Sequence, residues 1–123
     1  MIKQIKLGEN NFMKIKLKRY FNSSMLVNPD KAKSFCDKLK EILKKEEEVV
    51  LDFAGIQATT LVFLFVLFTN LWNEYGKDLK NKLTIKNGSQ GLFKQMIYLK
   101  ENYKELKSKF LGVHQNFEIA YIG

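Results

Sequence analysis

The stretch from Val49 to Gly76 constrains the fold more than any other part of the sequence. It begins with a short apolar run, Val49–Phe53, which carries one carboxylate, Asp52, and which ends at the turn-prone pair Ala54-Gly55. A run of this kind is typical of a buried strand that stops at a loop. The sequence therefore predicts a strand here, with the loop directly after it.

The apolar segment that follows the loop is predicted to be a helix. Leu61–Phe68 is apolar throughout, so periodicity alone would also allow a strand. However, Thr60–Tyr75 contains no glycine or proline, and it is far longer than the usual strand of about 5–6 residues. Thr59 and Thr60 are both good N-cap residues, and Gly76 is a suitable C-terminal stop. The segment becomes polar from Thr69 onward, so it does not reach the roughly 20 apolar residues of a membrane span.

The other elements follow from hydrophobic periodicity. Alternation of apolar residues with lysines predicts a strand with one solvated face over Phe12–Lys18, and Asn28-Pro29 predicts the start of an amphipathic helix. The remaining predicted elements are a first strand at Met1–Leu7, a loop or short irregular strand over Tyr20–Val27 that holds Ser23-Ser24, a charged link Lys77–Asn81, a strand Leu83–Ile85, a last helix through Phe110 and an edge strand at 117–121. This order predicts a single α/β domain over 1–123, with a mixed β-sheet, packed α-helices and right-handed crossovers.

The central stretch also resembles a known family. The segment Val50–Ile56, followed by a short loop and a capped helix, resembles the centre of STAS domains, the fold of bacterial anti-sigma-factor antagonists, and resembles a STAS-like family of unknown function more closely still. The resemblance extends from about Met13 to Phe110 and leaves 111–123 as an extra tail. It is strongest at Leu51-Asp52-Phe53 with Gly55, and at Phe63-Leu64 with Leu67-Phe68.

The resemblance implies a partner and a place for it. Anti-sigma-factor antagonists bind an ATPase of the histidine-kinase type through the loop and helix start after this strand, and phosphorylation of a serine there breaks the complex. In this sequence Val62 stands at the position of that serine, so no phosphorylation is expected there, and Thr60 is the alternative acceptor. The residues expected to contact a partner are Gly55, Gln57, Thr59, Thr60, Val62, Phe65, Val66 and Thr69.

Four of these residues form a stripe on the predicted central helix. Val62, Phe65, Val66 and Thr69 follow the spacing i, i+3, i+4, i+7 on the side opposite the residues that should face the sheet. Such a stripe should not face water. We expect it to be covered by a partner, by a second copy of the chain in a homodimer, or by the tail 117–122.

The net charge of +8 raises the alternative of an accessory protein that binds nucleic acid. Its surface would be Lys14, Lys16 and Lys18 together with the last helix. Nearly all the positive charge is lysine, and the only arginine is Arg19. Guanidinium groups, which can donate two parallel hydrogen bonds to a phosphate, are therefore scarce. The sequence therefore favours a solvated lysine surface over a nucleic-acid site.

No catalytic set is recognisable in the sequence. His114 is the only histidine, and Cys36 is the only cysteine and lies on an apolar helix face. Asp52 has no second acid at a useful spacing, so we expect it to cap or pin the loop that follows its strand. Neither a zinc spacing nor a dinucleotide fingerprint occurs. We therefore expect a binding module without enzyme activity, cofactor or metal. The lone cysteine, with no apolar leader, indicates a cytoplasmic protein.

Overall fold

The structure, a computed structural model, describes residues 12–46 and 48–112. The predicted first strand at Met1–Leu7, the edge strand at 117–121 and His114 lie outside these residues. The Cα positions group into two compact units, Met1–Ser89 and Gln90–Gly123.

Strands and helices alternate along the first unit. In chain order its elements are β1 (Phe12–Lys16), α1 (Leu17–Phe21), β2 (Met25–Leu26), α2 (Pro29–Lys45), β3 (Glu48–Asp52), β4 (Ala58–Thr59), α3 (Leu61–Tyr75), a 3₁₀ turn (Gly76–Asp78), α4 (Leu79–Lys82) and β5 (Leu83–Lys86). This confirms the predicted α/β class.

The described strands form two small parallel sheets. Three of them pair in the order β1-β3-β5, and β2 pairs with β4. At the carboxyl edge of the larger sheet, Asp52 of β3 is in register with Lys16 of β1 and Lys86 of β5. Side chains in register on neighbouring strands point to the same side, so these three share one face. Val49 and Leu51, both fully buried, point to the other face and join the core.

The first described strand is shorter than the sequence predicted. β1 ends at Lys16, and Leu17 begins the short helix α1 instead of continuing the strand to Lys18. The alternation looked unbroken because the buried Leu17 suits the inner side of either structure. Asn22 closes α1 in the left-handed conformation, with φ 54° and ψ 44°, and its N–H donates to the carbonyl of Arg19.

Helix α2 confirms the prediction made for it. The side chain of Asn28 accepts hydrogen bonds from the N–H groups of Asp30 at 2.8 Å and Lys31 at 3.3 Å, and Pro29 occupies the first turn, where its missing N–H costs nothing. One face is buried and consists of Ala32, Phe35, Cys36, Leu39 and Leu43.

Helix α3 confirms the choice of a helix over a strand for the long apolar segment. The Thr60 hydroxyl accepts from the N–H of Phe63 at 3.3 Å and so caps the first turn. The helix ends before Gly76, whose φ is 55° and ψ −133°. The chain then enters the 3₁₀ turn and α4, so the prediction of a simple charged link over Lys77–Asn81 is wrong.

The core of the first unit lies where α2 and α3 pack against each other and α2 meets β3. Aromatic rings join α1 to this core, because Phe21 lies 5.2 Å from Phe35 and 5.7 Å from Phe63 between ring centroids. The short helix α1 is thereby fixed to both long helices by its last residue.

The second unit contains α5 (Gln90–Glu101), α6 (Tyr103–Lys107) and a π-helical turn (Ser108–Gly112). The sequence predicted one continuous helix through this region. The structure interrupts it at Asn102, whose side-chain amide donates to the carbonyl of Tyr98 at 2.9 Å. On α5, Leu92 and Leu99 are buried, whereas Phe93 and Ile97 are 42% and 56% exposed.

Candidate functional site

The carboxyl end of β3 is organised by a buried carboxylate. Asp52 is 3% exposed, and its Oδ1 accepts hydrogen bonds from the side-chain amide of Asn87 at 2.8 Å and from the N–H of Ala54 at 2.9 Å. Its Oδ2 lies 3.5 Å from the ammonium of Lys14. The hydrogen bond from Asn87 lowers the pKa of Asp52 most, and the Ala54 N–H and the Lys14 charge lower it further. The prediction that Asp52 pins the loop after β3 is confirmed by its bond to Ala54.

The loop after β3 turns at Gly55, which has φ 84° and therefore occupies a region that favours glycine. The turn also lies against the side chain of Lys18. A Cβ on Gly55 would come within 2.8 Å of Lys18 Cδ and 3.5 Å of Lys18 Nζ. The absence of a side chain at Gly55 thus lets the stem of Lys18 lie across the turn.

The rest of the loop is tied to β2. The N–H of Gln57 donates to the carbonyl of Ser24 at 2.7 Å, and the N–H of Thr60 donates to the carbonyl of Leu26 at 3.1 Å. Gln57 is exposed, whereas Thr59 in β4 and Thr60 at the cap are half-buried. The loop therefore holds the amino end of α3 beside β2. For the region of β2 the sequence left a loop and a short irregular strand open, and for β4 it predicted no strand.

The stripe predicted on α3 is partly covered within the single chain. Phe65 and Thr69 are 1% and 4% exposed, whereas Val62 and Val66 are half-buried. A partner or a second copy could reach Phe65 or Thr69 only if the chain repacked around them. The candidate contacts that remain at the surface are thus Gly55, Gln57 and, in part, Thr59, Thr60, Val62 and Val66. The tail 117–122 lies outside the described residues, and phosphorylation of Thr60 stays a prediction.

A small apolar surface lies next to this loop. Met25 and Val27 are 53% and 41% exposed, and Met25 is in register with Ala58 of β4. They open onto a cavity of about 290 Å³, which is lined by Phe21, Ser23, Met25, Leu26, Val27, Asn28, Lys31 and Phe63. We call Met25, Val27 and the mouth of this cavity the apolar surface. Sequence reasoning missed this surface, because Met25, Leu26 and Val27 are all apolar and only the structure shows that Leu26 is buried between two exposed side chains.

A second cavity, of about 410 Å³, lies at the carboxyl ends of β1 and β3. It is lined by Lys16, Lys18, Arg19, Asn22, Asp52 and Ala54, and we call it the basic cavity. The sequence grouped Lys14, Lys16 and Lys18 on one strand face instead. Of these three lysines, only Lys14 and Lys16 lie on β1 in the structure, because Lys18 belongs to α1, and Lys14 lies beside Asp52.

The other polar or reactive residues do not form a site of their own. Cys36 is 1% exposed, and burial raises the pKa of its thiol, which disfavours the reactive thiolate. Within 12–46 and 48–112, no group of three or more histidine, cysteine or acidic residues is arranged to hold a metal ion. No helix in these ranges combines the length and the apolar character needed to cross a membrane.

Residues 31–91 match the sequence model of a protein family described as a STAS-like domain of unknown function. This segment runs from the first turn of α2 through β3 and α3 to the start of α5. The central part of the chain thus matches that STAS-like family, as its sequence indicated. No curated protein and no solved structure matched the chain.

Proposed function

We propose that this chain is a non-catalytic regulatory module that docks on a protein partner through the apolar surface and the neighbouring loop 55–60. The observation that carries the proposal is the exposure of Met25 and Val27 beside the amino end of α3. Exposed apolar side chains that border a cavity are a common feature of protein interfaces.

The resemblance to STAS domains supports one class of partner. Anti-sigma-factor antagonists of the STAS type bind an ATPase of the histidine-kinase type through the equivalent loop and helix start. We therefore propose an ATPase of that type as the partner, in a bacterial cytoplasmic regulatory system. The loop suits such contact because Gln57 and Gly55 are exposed, and because the N–H of Gln57 is held by the carbonyl of Ser24, the residue before β2.

The test is to measure the affinity of the wild-type chain and of Met25→Asp for a purified ATPase identified by co-purification. A charge at the centre of an apolar interface should weaken binding by about tenfold or more. Ile97→Asp on α5 is the matched control, because Ile97 is 56% exposed and Met25 is 53% exposed. If the wild type and Met25→Asp bound the ATPase with equal affinity, the proposed surface would be refuted. If the wild type self-associated and Met25→Asp did not, the surface would belong to a homodimer instead.

The nucleic-acid alternative has less support from the structure. Lys14 lies 3.5 Å from the carboxylate of Asp52, and Lys18 projects from α1, so the three lysines do not form one strand face. A salt titration separates the two functions, because log K for nucleic acid falls steeply with log salt concentration, whereas an apolar interface responds weakly. A steep dependence on salt for a nucleic-acid ligand, with no ATPase bound, would favour the alternative.

A further inference from the structure

We propose that the basic cavity binds the diphosphate group of a small phosphorylated molecule. This proposal does not depend on the protein partner proposed above. The cavity lies beyond the carboxyl ends of parallel strands β1 and β3. In open α/β sheets, ligands commonly bind in the crevice at this edge.

The charges around the cavity are unbalanced. Of the residues that the structure describes, Lys16, Lys18 and Arg19 line it, and Asp52 is the only acidic one that does so. Among residues 12–46 and 48–112, none of these three cations forms an ion pair. The carboxylate of Asp52 is already occupied, because it accepts from Ala54 and Asn87 and lies beside Lys14. The three cations therefore present net positive charge to anything that enters the cavity.

The fold fixes the backbone positions of Lys18 and Arg19, two of the three residues that carry these cations. Lys18 and Arg19 lie on α1, which Leu17 anchors in the core with 0% exposure, and the stem of Lys18 lies across Gly55. The carbonyls of Lys18 and Arg19 accept the N–H groups of Ser23 and Asn22, which closes the helix tightly. Positions fixed before a ligand arrives reduce the entropy lost on binding.

The chemistry of these groups suits a diphosphate better than a carboxylate. A guanidinium donates two parallel hydrogen bonds to phosphate oxygens, and two ammonium groups add point charges around it. Three cations match the two to three negative charges of a diphosphate, whereas a carboxylate carries one. The volume of about 410 Å³ lies within the usual range for small-molecule sites, roughly 300–1,000 Å³.

The experiment titrates the full chain with inorganic pyrophosphate, and with sulfate as a single dianion, by calorimetry and by two-dimensional NMR of the backbone amides. We expect pyrophosphate to bind more tightly than sulfate and to shift the amides of 16–22 and 54–55. Lys18→Ala/Arg19→Ala should weaken pyrophosphate binding by about tenfold or more, because hydrogen bonds to charged groups are lost.

The matched control is Lys38→Ala/Lys44→Ala, which removes the same charge from exposed positions of α2. It should change pyrophosphate affinity by less than about threefold, since exposed charges elsewhere contribute only weakly. The proposal is overturned if pyrophosphate does not bind, if both double variants lose affinity equally, or if the shifted amides lie elsewhere. It is also overturned if a short single-stranded RNA binds more tightly than pyrophosphate and loses affinity steeply with salt, because that would identify a nucleic-acid surface.

Discussion

Strand β3 and helix α3 are separated in the chain only by a loop and the short strand β4, and each places one polar side chain in the apolar interior. Asp52 of β3 is 3% exposed and Thr69 of α3 is 4% exposed. The hydroxyl of Thr69 donates to the carbonyl of Phe65, one turn earlier in the same helix, at 2.5 Å. Asp52 instead uses groups from its own loop, from the residue after β5 and from β1.

This difference shows how the two elements tolerate a polar group. A helix can satisfy a buried hydroxyl locally, because its own carbonyls lie within reach. A carboxylate in a strand has no such partner in its own element and must recruit groups from other segments. Asp52 therefore connects the carboxyl ends of the three strands, whereas Thr69 affects α3 alone.

The largest expected effect concerns the burial of α3. Phe65→Ala should lower the free energy of unfolding by about 3–5 kcal/mol, because it leaves a cavity in the interior of the single chain. The measurement is the denaturant midpoint, with sedimentation to confirm the oligomeric state.

Phe93→Ala is the control for this substitution, since Phe93 is 42% exposed while Phe65 is 1% exposed. It should change the free energy of unfolding by no more than about 0.5 kcal/mol. If both substitutions changed the free energy of unfolding by a similarly small amount, Phe65 would need a partner or a second copy of the chain to bury it. The sequence allowed both of these as ways to cover the stripe on α3.

The next effect concerns Asp52 and its dependence on pH. Asp52→Asn should lower the free energy of unfolding by about 1–3 kcal/mol at neutral pH, because the bonds from Asn87 and Ala54 and the nearby Lys14 favour a charged acceptor. The pKa of Asp52 is lowered in the folded state. The stabilisation by Asp52 is thus fully present when the pH is above the pKa of an aspartate in the unfolded chain, which is about 3.9. It is lost as the pH falls through the lower pKa of Asp52 in the folded state.

The measurement is the difference in urea midpoint between wild type and Asp52→Asn at pH values from 7 to 3. The difference should be constant above about pH 5 and should shrink below about pH 4. Asp37→Asn, which removes a carboxylate that is 60% exposed, should stay within about 0.5 kcal/mol of the wild type at pH 7. A difference for Asp52→Asn that grows as the pH falls would contradict the assignment of these bonds.

The sequence predicted the features that depend on neighbouring residues. The caps at Asn28 and Thr60 and the bond from Ala54 to Asp52 each join residues no more than three positions apart. Cap preferences and turn chemistry are local properties, so they can be read without knowledge of the fold.

The parts that could not be predicted depend on pairing between distant segments. Asn87 lies 35 residues from Asp52 in the chain and reaches it only because β5 pairs with β3. The β2–β4 pair is too short for its period-two pattern to stand out, so the apolar surface at Met25 was not predicted. The basic cavity likewise depends on the change from strand to helix at Leu17, where the alternation of apolar and charged residues gave no sign of a boundary.

The smallest expected effect concerns the hydroxyl of Thr69. Thr69→Val should change the free energy of unfolding by no more than about 1 kcal/mol, because valine keeps the shape and removes a polar group that only its own helix satisfies. Thr69→Ser keeps the hydroxyl but removes a buried methyl group, which should cost about 1 kcal/mol. Denaturant midpoints of the two variants should therefore rank valine at or above serine. A loss of more than about 2 kcal/mol in Thr69→Val alone would show that the hydroxyl bonds another element, and Thr69 would then resemble Asp52.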